Sequence, residues 1–240
     1  MTLTTAALAR FSQCGHRYWL TDVEGVDNPA TTRMAVSRVV RAAIQQDLSQ
    51  NAPQSPTIAP GSIEAIAAGE MARVALTPQE AARGMKTTTD RVAYSTTRLY
   101  GLWRACVKPR ITATHLSRPF ELSMGGAVVT GRIEIMESGG IRNTKIRTKR
   151  PDKEESTRDV GLILQAIAAG AERATTDYLI ESDKLAVDRQ EFTLSDGQVE
   201  MARGRVRCAV QAIEAQVFLP ADLSDYRCVL CPLRAVCRYV

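Results

Sequence analysis

GRIEIMESGGIRNTK, residues 131–145, is where the period of the chain changes. Apolar residues alternate with polar ones over 127–136 and again from Ile141, the pattern of half-buried strands. Ser138-Gly139-Gly140 supplies a tight turn between them. Gly125-Gly126 supplies another, toward an alternating run at 111–122. The reading is an antiparallel meander with strands at 111–122, 127–136 and 141–148. It places Glu134 on one strand and Asn143 and Lys145 on the next. Residues i and i+2 of a strand share a face, so Asn143 and Lys145 point together.

On both sides of the meander the period is mostly helical. Leu3, Ala7, Leu8, Phe11 and Cys14 or Tyr18 recur at helical spacing and predict a short helix over 2–20. Met34, Val36, Val39, Val40, Ala43 and Ile44 mark a second helix over 31–48. Pro53, Pro56 and Pro60 make 51–61 a loop, and Pro78 and Pro109 bound further helices at 62–76 and 89–107. Downstream, 158–173 reads as a helix, and 178–185 and 190–194 as short strands. A long helix over 195–218 opens with Ser195 and Gln198 as a capping box. The order predicts an α/β or α+β core with a helical N-terminal insertion. We expect one domain over 1–240: a helical part at 1–110, a core at 111–220 and a tail at 221–240.

With 240 residues and 45% hydrophobic content, the chain can bury a sizeable core. No run of eighteen apolar residues occurs, which argues against a membrane span. The opening MTLTTAALARFSQCGHRYWL lacks a basic start followed by a long apolar stretch, so a secretory leader is not expected. The expected location is cytoplasmic, where thiols stay reduced. The net charge of +5 favours a polyanionic partner. Arg142, Lys145, Arg147, Lys149, Arg150 and Lys153 crowd one segment, and Arg203, Arg205 and Arg207 another.

Four of the six cysteines have a distinctive layout. Cys14 stands near the start, while Cys228, Cys231 and Cys237 form C-x2-C-x5-C in the last thirteen residues. One inorganic centre held by all four would tie the two ends together. Thiolates suit both iron–sulfur clusters and zinc. Cys106 and Cys208 lie in helix-like stretches and read as buried packing residues.

A hairpin bearing Glu134, Asn143 and Lys145 gathers acidic, amide and ammonium groups. Metal-dependent nucleases need such a cluster: hard oxygen ligands hold Mg²⁺ or Mn²⁺, and a lysine positions the attacking water. On these residues the chain resembles the RecB-like exonucleases of the PD-(D/E)XK superfamily. The resemblance is to the branch with a four-cysteine iron–sulfur cluster, which includes the CRISPR-associated single-strand exonucleases and the AddB nuclease domain. FSQCGHRYWL resembles the family's opening helix, with Gly15 where proline is usual. GRIE at 131–134 resembles its G-R-I-D motif, IRNTK at 141–145 its v-x-D-x-K motif, and Gln165 the start of Q-x-x-x-Y. AIEAQVFLP at 212–220 and CVLCPLRAVC at 228–237 resemble its closing helix and cluster loop.

The resemblance implies a [4Fe-4S] cluster on Cys14, Cys228, Cys231 and Cys237, with zinc as the alternative. It implies Glu134, Asn143, Lys145 and Gln165 as the catalytic set, and Mg²⁺ or Mn²⁺ at Glu134 and Asn143. DNA is the expected partner, contacted by Arg142, Arg147, Lys149 and Arg150, with further subunits of a DNA-processing complex. Departures from the pattern matter. Glu134 replaces an aspartate, and Asn143 an acidic residue whose charge an amide cannot supply. Arg41 in VVRAAI stands where a histidine is usual, and Ala169 where the tyrosine is usual. Two expectations follow: a metal-dependent nuclease of DNA ends or single strands, or a nuclease fold retained as a DNA-binding subunit.

Overall fold

The computed structural model describes residues 1–28, 30–50, 60–222, 228 and 231–239. Its centre is a mixed sheet in the order β1-β3-β4-β5-β6, with β2 also paired to β3. β2 (Ala113–Met124), β3 (Ala127–Glu137) and β4 (Gly140–Arg147) form the expected antiparallel meander. Gly125 and Gly126 join the first two strands with φ of 60° and 88°. Both values lie in the region where a side chain is strained, so the turn selects glycine. β5 (Arg173–Ile180) runs parallel to β4 and antiparallel to β6 (Ala186–Thr193). A parallel step needs a crossover, supplied by helix α7 (Val160–Ala169).

The pairing of β3 with β4 is short. It holds at Glu137↔Gly140, Met136↔Ile141 and Ile135↔Arg142, and then stops. Glu134 and Asn143 therefore stand where the two strands part.

Two apolar clusters cover the sheet. α3 (Thr32–Ser49), α4 (Pro60–Met71) and α6 (Met85–Cys106) bury Val39, Leu99, Tyr100 and Trp103 against Ile146 and Leu179. α7 and α8 (Asp196–Glu214) bury Leu162, Ile163, Val206 and Val210 against Val129, Ile141 and Ala174. The predicted stripe of α3 is buried from Val36 to Ile44, whereas Met34 is only half-buried. No helix among the described residues is long and apolar enough to cross a membrane.

Several boundaries differ from the sequence reading, each for a tertiary reason. Residues 2–20 are not one helix. Thr2–Thr4 forms β1, parallel to β3, with Leu3 beside Val129 in the core. α1 (Thr5–Gln13) then starts on the Thr4 cap and ends at the extended Cys14. α2 (Gly15–Tyr18) and a π-helical turn, Trp19–Val23, follow. Gly170 takes a left-handed conformation and stops α7 at Ala169, short of the expected 173, and the strand expected at 178–185 runs instead from Arg173 to Ile180. The strand expected at 190–194 begins already at Ala186, and α8 ends at Glu214. Pro78 opens a helix, α5 (Pro78–Arg83), under a Thr77–Glu80 capping box. Residues 51–59 of the expected proline-rich loop lie outside the described residues, and 60–61 begin α4. Cys106 and Cys208 are exposed rather than buried, because both lie on the outer faces of their helices.

Candidate nucleic-acid cleft and cysteine centre

A cleft of about 680 Å³ opens beside the C-terminal end of β4, between it, α1, α3 and the turn before α7. Lys145 and Arg147 reach into it from β4, Arg41 from α3, and Asp152, Glu155, Arg158 and Asp159 from the turn. Lys145 Nζ donates to Asp159, whose Oδ1 also accepts the Leu162 N–H at 3.2 Å and caps α7. Arg147 pairs with Glu155, and Arg158 with Asp152 and Glu154. The Tyr178 ring, fully buried on β5, lies under both Lys145 Nζ and Arg147 Cζ, at 5.9 and 5.7 Å from its centroid. Burial pushes the Tyr178 hydroxyl up from the ordinary phenol value, and its bond to Ser156 opposes that. The phenol stays neutral and gives the two cations an apolar floor.

Beside the cleft stands the hairpin pair. Glu134 Oε2 accepts the Thr144 N–H at 3.1 Å, across the gap where β3 and β4 no longer pair. Glu134 Oε1 meets Arg41 Nε at 3.2 Å. Both carboxylate oxygens are therefore engaged. Asn143 is buried, and its Oδ1 finds no protein donor. Gln165 on α7 likewise has a buried Oε1 without a donor. Among the described residues, no group of three or more His, Cys, Asp or Glu is placed to hold a metal ion. A divalent cation at Glu134 would have to displace a guanidinium, with only a neutral amide as its second ligand. The residues as arranged do not fit such an ion.

The basic residues named from the sequence divide in two. Arg147 lines the cleft, and Lys149 and Arg150 follow it on the exposed bend after β4. Arg142 does not join them. It is 5% exposed and bound to Glu137 at 3.0 Å and Asp177 at 2.7 Å, on the sheet face opposite Asn143 and Lys145. Strand alternation puts it there, so it holds buried Asp177 rather than a phosphate. Asp159, Glu155 and Arg158 went unnoticed in the sequence. The signal for Asp159 was its place just before the apolar run 160–169, the N-cap pattern.

Just past the C-terminal end of α1, where Gln13 also lines the cleft, Cys14, Cys228, Cys231 and Cys237 all line one cavity of about 40 Å³. Cys14 Sγ accepts backbone N–H groups from Arg17 and from Ala221, each at 3.4 Å. The second bond spans more than two hundred residues of sequence. His16 is buried beside the cavity, its ring stacked on Trp19 with centroids 5.2 Å apart.

Comparison with known proteins agrees with this architecture. No curated protein matches the chain. A crystal structure from Eubacterium rectale, provisionally assigned as an exonuclease, superposes with a TM-score of 0.58 at 9% identity, over 95% of this chain and 88% of that one. The structure of SSO0001 aligns over 99% of this chain and 86% of its own, at 14% identity and a TM-score of 0.44. The first likeness supports the fold alone. The sequence profile of the PD-(D/E)XK nuclease superfamily matches residues 2–238, nearly end to end, so the chain belongs to the PD-(D/E)XK nuclease superfamily.

Proposed function

We propose that this protein engages DNA in the cleft between β4, α3 and the turn before α7, as a RecB-like member of the superfamily. The observation that carries the reading is the cleft itself. Arg41, Lys145, Arg147 and Arg158 line it beside the hairpin whose GRIE and IRNTK stretches resemble the superfamily's motifs. Each of these cations is already held by a carboxylate, which fixes its position and leaves further donors for phosphate oxygens. The exposed Lys149 and Arg150 extend the basic surface beyond the cleft. The role is that of a DNA-binding or scaffold subunit in a repair, recombination or CRISPR-type complex.

A second reading is metal-dependent trimming of DNA ends or single strands. Glu134 and Lys145, both retained on the hairpin, favour it. End-labelled DNA incubated with Mn²⁺, with Lys145→Ala alongside, separates the two. Cleavage that this variant abolishes would establish the nuclease.

In the same proposal, Cys14 and the three tail cysteines hold a [4Fe-4S] cluster, with zinc as the alternative metal. Support comes from four thiols around one cavity and from two backbone N–H groups aimed at Cys14 Sγ. The thiols share a cavity without standing in ligand geometry. That is compatible with a centre whose binding completes the fold, since such sites rarely preform.

The test of the main reading is binding of labelled single-stranded and duplex DNA across a salt series. Affinity is expected to fall steeply with salt, and Arg147→Ala to lower the log–log slope by about one. Absence of binding at low salt would overturn it.

A further inference from the structure

We infer that Arg41 is the built-in cation of this cleft, occupying the place beside Glu134 that a divalent metal would otherwise take. The inference rests on the DNA-binding reading above. Arg41 Nε lies 3.2 Å from Glu134 Oε1, and the Thr144 N–H holds Oε2 at 3.1 Å. Each carboxylate oxygen therefore already has a partner that a metal would have to displace or compete with. Asn143 beside it supplies no charge, and Lys145 is committed to Asp159. A guanidinium seated on Oε1 repels a divalent ion brought to the same carboxylate, so the two compete for it.

Arg41 is suited to replace the metal as well as exclude it. Its side chain is 47% exposed and lines the cleft, and it meets Glu134 through Nε. The two amino groups of a guanidinium present planar donors that match a phosphodiester. Glu134 then acts as a positioning residue that aims Arg41, and phosphate binding there needs no metal.

Two measurements test this. In the first, Mn²⁺ is titrated into the DNA-free protein and followed by electron paramagnetic resonance. The native chain is expected to take up no stoichiometric Mn²⁺, whereas the double variant Arg41→Ala, Asn143→Asp is expected to gain one ion. Stoichiometric uptake by the native chain that Glu134→Gln removes would overturn the inference. So would a double variant that folds and binds no more Mn²⁺ than the native chain.

In the second, DNA affinity is measured with EDTA and with Mn²⁺. Equal affinity in both is expected. Arg41→Ala should weaken binding roughly tenfold and lower the salt slope by about one. Binding that requires Mn²⁺ would sink the idea. Failure of all DNA binding strikes the functional reading instead, and the metal titration, made without DNA, keeps the two apart.

Discussion

Asp47 lies on α3 with its carboxylate fully buried, in a region the sequence reads as plain helix. The Tyr100 hydroxyl donates to it at 2.6 Å, Arg104 Nε stands at 3.3 Å, and Lys108 completes the group. The cluster ties α3 to α6 and to the turn that leads into β2. Removing the carboxylate strands a tyrosine hydroxyl and two mostly buried cations. Asp47→Ala is expected to cost about 3 kcal/mol in urea unfolding at unchanged m-value. A loss below ~1 kcal/mol would mean that the cations simply turn out to solvent. The placement of Glu134, Asn143 and Lys145 on adjacent strands was legible in the sequence because their i, i+2 and hairpin relations are local. The partners were not: Arg41 is 93 positions from Glu134, and only packing brings them together.

Elements meet by backbone as well as by side chain. A Cβ on Gly15 would lie 2.9 Å from Leu219 O and 3.0 Å from Leu219 N, atoms that cannot swing away. The same Leu219 carbonyl accepts the His16 N–H at 3.2 Å. α2 is thus seated directly on the strand of chain that leads to the tail cysteines. Gly15→Ala is expected to push that segment off and cost about 1–3 kcal/mol. Gly69→Ala on α4, where a Cβ meets nothing within 4 Å, should instead stabilise by about 0.5–1 kcal/mol. Thermal unfolding of both variants reads the contrast, and equal shifts would refute the packing argument. Helix positions were largely legible here, as in α3 and α8, because their stripes and caps are local. β1 was not, since three residues become a strand only by pairing with β3.

Over the whole molecule, two long-range ties close the chain. β1 pairs with the middle of the sheet, and Cys14 meets the C-terminal tail. The proposed centre on the four cysteines would close a loop of more than two hundred residues, where the chain-entropy gain is largest in theory. Cys231→Ala is expected to lose iron, or zinc, and to unfold at lower temperature. Metal analysis with calorimetry checks this. A soluble variant that is cofactor-free and equally stable would remove the structural role.

The sequence alone determined the meander, the crossover helix, the motif positions and the cysteine spacing. All of these are written in local period, turn chemistry and residue type. Only the tertiary structure decided that β3 and β4 part at Glu134, that Arg41 rather than open space faces that carboxylate, and that Arg142 turns inward to Asp177. The reason is physical. Periodicity tells which residues share a face, but not which distant charge packs against that face. Here the distant charge is Arg41, which packs against Glu134.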